Sequence, residues 1–225
     1  MNLDVCSFCE GFYHVEESIE INVPRVCLCN KPCSRKTVRC IARLLNNNDE
    51  ELQVSFFKNE RSHNHMTIHA EKLLVSDKSF SNIIRSNKEC RKLILYMTYQ
   101  PCHYSGGHQR PLLISCTEEL IKYNKEVLKP YNVQLQIKTA YIYRAFWQFE
   151  NSHPKYWKMI NNAKEGMRLL RVNNITVDAF NSEDWDFVKG LCDDDTKNIL
   201  HNIPICAVKY REITDTFNYN FFNMI

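Results

Sequence analysis

Glycine is scarce in this 225-residue chain (5) and so is proline (7), which excludes a collagen-like, elastic or low-complexity polymer. No apolar run approaches the roughly 20 residues a membrane-crossing helix needs. The N-terminal Met1-Asn2-Leu3-Asp4 has neither the basic stretch nor the apolar core of a secretory signal, so the chain is expected inside the cell, in cytoplasm or nucleus, with no membrane partner. There is no internal repeat, and no large excess of either charge: the formal net is only +3. With 44% hydrophobic and 12% aromatic residues, the chain has enough to bury the core of one sizeable domain.

The small net charge conceals a skew. Residues 182–195 hold six acids against Lys189, and the rest of the chain carries 28 basic against 20 acidic residues, a net of +8. An anionic partner fits that balance, as does a merely solvated surface.

What the chain does have is cysteine, eleven in all. In a reducing compartment these read as buried thiols or metal ligands and not as a disulfide framework. Residues 1–36 form a Cys-rich extension with Cys6-x-x-Cys9, Cys27-x-Cys29, Cys33 and His14. That set can clasp a structural zinc, or its members can be small buried hydrophobes. Residues 37–225 read as one α/β domain.

Within that domain, Thr37–Leu45 and Glu51–Phe57 are β-prone runs flanking Asn46-Asn47-Asn48-Asp49, which predicts a hairpin. A helix is expected from His69 to Ser86, and the apolar run Lys92–Thr98 has the length and continuity of a central strand buried on both faces. Ser115–Leu128 reads as a helix, Val133–Tyr143 as a strand with one packed and one polar face, and Pro154–Arg171 as a helix turning Trp157, Ile160, Ala163, Met167 and Leu170 inward. Ile175–Phe180 and Ser182–Leu191 complete the order β-β-α-β-α-β-α-β-α, a five-stranded mixed sheet flanked by helices on both faces.

Two stretches carry chemistry: His69-Ala70-Glu71, opening a helix, and Pro101-Cys102, directly after the central strand. A histidine with a glutamate two residues on, then Pro-Cys and a second cysteine, is the ligand pattern of zinc-dependent nucleobase deaminases. With His69 in the first helical turn and Cys102 and Cys116 near helix N-termini, where positive dipole ends favour thiolate, three ligands leave a fourth zinc position open. Such an open position lets zinc acidify a water for attack on a base carbon, with Glu71 moving the protons and not ligating the metal.

From about Arg35 to Leu191 the chain resembles the AID/APOBEC superfamily of polynucleotide cytidine deaminases. The resemblance is carried by His69-Ala70-Glu71, Pro101-Cys102, Gln136–Tyr143, Asn173–Val177 and Asp184–Val188, in that order. It implies a cytidine-deaminase-like fold, Zn2+ held by His69, Cys102 and Cys116, and Glu71 as the catalytic residue. It further implies hydrolytic deamination of cytosine in single-stranded DNA, with RNA as the second choice of partner. Asn64, Tyr99, Tyr143, Phe146 and Trp147 become candidate substrate contacts, Asn64 to the sugar and the aromatics to bases. Lys31, Arg35, Lys36 and Arg39 are candidate phosphate contacts. The chain departs from the pattern in placing thirteen residues between Cys102 and Cys116 and in having Tyr99-Gln100 before Pro-Cys. The departure leaves His108 as an alternative third ligand. Adenosine or free-nucleoside deamination, and a catalytically silent nucleic-acid-binding member, remain as alternative functions.

Overall fold

The computed structural model of the chain describes residues 38–61, 67–105, 114–142 and 154–192. Strands β1 (Arg39–Leu45) and β2 (Glu51–Lys58) form the expected antiparallel hairpin. The side chain of Asn46 builds its turn, accepting from the backbone N–H groups of Asn48 and Glu50, while Asp49 takes the positive φ of 59° that such a turn requires. A two-residue pair, β3 (Glu60–Arg61) and β4 (Thr67–Ile68), leads into helix α1 (Ala70–Ser76).

The single helix expected over residues 69–86 is two. Asp77 is extended (φ −74°, ψ 104°) and its carboxylate accepts from Phe80 N–H, so it ends α1 and caps α2 (Lys78–Ser86). A local side-chain cap competes with helix continuation here and wins.

Strand β5 (Lys92–Tyr99) is central, in the sheet order β2-β1-β5-β6-β7. It runs antiparallel to β1 and parallel to β6 (Gln134–Tyr141), which is in turn parallel to β7 (Thr176–Ala179). Each parallel step needs a crossover, supplied by helix α3 (Cys116–Tyr123) and helix α4 (Pro154–Val172). Beyond Tyr123 the chain of α3 loosens into a π turn over Asn124–Leu128 and a 3-10 turn over Lys129–Tyr131 at Pro130. Helix α5 (Ser182–Gly190) is capped reciprocally by Asn181 and Asp184.

The period-two alternation of the strands divides the core into two layers. Cys40, Ala42 and Leu44, then Leu93, Leu95 and Met97, then Leu135 and Ile137, then Val177 and Ala179 meet α1 to α4 on one face. Ile41, Leu45, Ile94, Tyr96 and Ala140 meet α5 on the other, with Phe180 and Val188. The polar positions of β6 are accounted for on this second face. Lys138 pairs with Asp184 at 3.4 Å, both nearly buried, and Gln136 donates to Asp178.

Helix α4 corrects one expected contact. Met159, Ile160, Ala163, Met167 and Leu170 are buried along it, whereas Trp157 is 51% exposed. The N-terminal extension with its cysteines lies outside the described residues. No described helix is long and apolar enough to cross a membrane.

Candidate metal centre

His69 sits at the α1 N-cap, one residue ahead of the first helical turn in which the sequence places it, with extended φ −75° and ψ 149°. Its imidazole makes no capping bond; instead the Asn59 side chain accepts from Ala70 N–H at 2.9 Å. That substitution frees the ring to face the end of β5. Glu71, in the first turn, is turned inward and buried.

The thirteen-residue separation between the cysteines is bridged by backbone pairing. His103 and Ser115 form an antiparallel bridge, Tyr104 N–H donates to Ile114 O at 2.8 Å, and Thr117 N–H donates to Cys102 O at 3.0 Å. In this register residue 103 opposes 115, and the next pair outward is Cys102 opposite Cys116. The bridge, with the Thr117 N–H bond to Cys102 O, brings the two thiols together. Ser115 reinforces the junction: its hydroxyl accepts from Glu118 N–H, capping α3, and lies 2.9 Å from His103 Nδ1.

His69 Nδ1 lies 3.2 Å from Cys116 Sγ and 3.4 Å from Cys102 Sγ, and the three ligand atoms all fall within 4.8 Å of one another. A tetrahedral ion with Zn–N of about 2.05 Å and Zn–S of about 2.3 Å would hold N and S about 3.6 Å apart. The spacing is therefore within a few tenths of an ångström of what one ion demands, and the donor set suits it. These three residues can hold a metal ion.

The electrostatics of the cluster are those of a charged ligand set. Burial alone would pull His69 down, but the hydrogen bond and charge of the Cys102 thiolate, helped by Glu71, lift it to about 9. A hydrogen bond from Cys116 and the facing His69 hold Cys102 well below the ordinary thiol range, against its burial. Cys116, sharing its proton with Cys102 and buried beside Glu71, is pushed well up. Glu71 is raised to about 7, first by burial and then by the negative charge of Cys102, with His69 opposing. Its Oε2 is buried without a hydrogen-bond partner. Cys40, on β1, is also pushed well up, by burial and by Glu71.

His69, Glu71, Cys102 and Cys116 are brought together as the sequence suggests. Tyr99 ends β5 half-buried, paired in register with Tyr141. Asn64, Tyr143, Phe146, Trp147 and His108 lie outside the described residues, as do Lys31, Arg35 and Lys36. Asn59, Ser115 and His103 support the site without being apparent from the sequence, though Ser115 before Thr-Glu-Glu is a recognisable capping signal.

No known family model matches the chain, and no curated protein matches it.

Proposed function

We propose that this chain is a zinc-dependent deaminase converting cytosine to uracil in single-stranded nucleic acid, DNA before RNA. One observation carries the reading: a His-Cys-Cys ligand set whose three donor atoms converge, beside a buried carboxylate, Glu71, with an unpartnered oxygen. Structural zinc sites close with four protein ligands, whereas the three that the described residues supply would leave room for a reactant. His69, Cys102 and Cys116 would hold the ion, which when bound supplies a water acidified toward neutrality.

The chain's own contribution is proton management. Replacing the C4 amine of cytosine with oxygen consumes one water and releases ammonia, so both water protons must reach the base, one at N3 and one at the departing amine. Glu71, a buried carboxylate beside the three ligands, is the group placed to take and return these protons as a general acid–base. Its burial at the α1 N-terminus fixes it beside the ligands without making it one of them.

The polynucleotide substrate is supported by the resemblance, by the net positive charge outside residues 182–195, and by Tyr99 at the end of the central strand. A base inside a duplex is inaccessible to such a site, so an unpaired cytosine is the natural substrate. The test is a single-stranded oligonucleotide with one cytosine, scored by uracil-dependent strand cleavage. Conversion by the wild type, reduced at least about 10²-fold in Glu71→Gln, is expected. Activity confined to free cytidine or to adenosine would overturn the substrate. Zinc-loaded protein that binds the strand in a salt-sensitive way without conversion would overturn catalysis.

A further inference from the structure

Helix α4 contributes none of the three ligands, yet it bears on the ladder that carries two of them. It also places glycine, the poorest helix former apart from proline, inside a 19-residue helix at Gly166. A Cβ at that position would stand 2.5 Å from His103 Cβ, 3.3 Å from His103 Cγ and 3.0 Å from Thr117 Oγ1. His103 follows Cys102 and Thr117 follows Cys116, so the glycine faces the immediate neighbour of each thiol. Asn162, one turn earlier on the same helix face, donates from Nδ2 to the Tyr104 carbonyl at 3.2 Å. Helix α4 therefore bears on the chain just after each thiol, at 103–104 and at Thr117 in the first turn of α3.

We infer that Gly166 is a positioning residue of the metal centre: the bare helix surface seats the Cys102/Cys116 ladder, and a side chain there displaces the two sulfur ligands relative to His69. The inference rests on the metal reading above. Its force comes from comparing two tolerances. The closest atom, His103 Cβ, is tied to its backbone and cannot swing away, so relieving the contact needs a shift on the order of 1 Å. A packed domain can absorb such a shift by sliding one helix, but ligand distances in a metal site hold to about 0.2 Å.

The test is titration of the chelator-stripped full chain with Co2+, read by thiolate-to-cobalt charge-transfer absorption, followed by competition with Zn2+. Gly166→Ala should bind both ions about 10- to 100-fold more weakly, the loss typical of groups that orient metal ligands, with an unchanged far-ultraviolet circular dichroism spectrum. Leu170→Ala, a core truncation on the same helix, should lower the melting temperature while leaving the affinity of the folded protein unchanged.

Gly166→Ala with wild-type affinity and an unaltered cobalt spectrum would overturn the inference. If Gly166→Ala does not fold, Asn162→Ala decides: weakened Co2+ binding in a native fold supports the seat, and undiminished binding refutes it. A wild type that takes up no Co2+ or Zn2+ would remove the metal centre and this role together. A wild type that binds metal without deaminating anything would leave the positioning role standing.

Discussion

Glu71→Gln should stabilise the metal-free protein while abolishing the proposed deamination. The carboxyl is 2% exposed, its Oε2 has no hydrogen-bond partner, and burial with the Cys102 charge lifts its pKa from 4.5 to about 7. Below pH 4.5 the folded and unfolded chains both carry a protonated carboxyl, and the position costs nothing extra. Between pH 4.5 and about 7 the unfolded chain ionises while the fold holds the proton, so the unfolded state binds fewer protons and stability falls as pH rises. Above about pH 7 the penalty is fully developed, and at about 1.36 kcal/mol per pH unit the interval converts to roughly 3 kcal/mol. Glutamine keeps the shape and carries no charge at any pH. Thermal melting with chelator present should therefore show the variant more stable at pH 8, by about 6–12 °C for a domain of this size. The gain should shrink steadily toward pH 5. Equal melting at pH 8, or a gain indifferent to pH, would refute the claim that Glu71 is held as a buried, poorly solvated acid.

Further expected outcomes concern the ligand set. At pH 7 the free site holds a proton on His69, whose pKa is about 9, and one on Cys116, pushed up beside Cys102. Zn2+ binding should therefore release about two protons, measurable by calorimetry in buffers of different ionisation enthalpy, and affinity should climb as pH rises toward 9. Because the 103–115 bridge brings the thiols together, replacing residues 106–113 with Asn-Gly should leave zinc affinity near wild type, whereas Cys116→Ala, with one sulfur ligand fewer, should hold zinc much more weakly. Zinc lost with the replacement and kept in Cys116→Ala would shift the third ligand to His108. Asn59→Ala should cost about 1 kcal/mol in urea unfolding by uncapping α1, and should weaken zinc binding as His69 loses its fixed entry angle; no change in either would show that the cap is incidental.

Much of the fold is written in local pattern. The uninterrupted apolar run of β5 marks a strand covered on both faces, and the Asn46–Asp49 cluster marks a turn by a mechanism visible in its side chains. His69, Glu71 and Cys102 stand out because their spacing is short and their chemistry specific. Cys116 was legible only as a choice, since what settles its place is a long-range backbone register, and sequence separation says nothing of which residues pair across a ladder. Asp77 misleads because a single aspartate inside an apolar 3.6-residue period reads as an exposed position, when it caps a second helix. Trp157 misleads for a related reason: periodicity gives the inward direction of a helix but not which positions along its length the core covers. Gly166 carries no signal of its own, because a close approach is a property of two surfaces and one sequence position shows only one of them. The expected contacts at Asn64, Tyr143, Phe146 and Trp147 lie outside the described residues, so the nucleic-acid side of the proposal rests on the resemblance, the charge and Tyr99.

The most direct test of the central claim, an open three-ligand metal centre, is X-ray absorption at the zinc edge of the 225-residue chain loaded with one equivalent, for wild type and Cys116→Ala. The expected wild-type shell has two sulfurs at about 2.3 Å and two nitrogen or oxygen atoms at about 2.0–2.1 Å, falling to one sulfur in the variant. A shell of four sulfurs, which the N-terminal cysteines would have to supply, or one unchanged by Cys116→Ala, would contradict it.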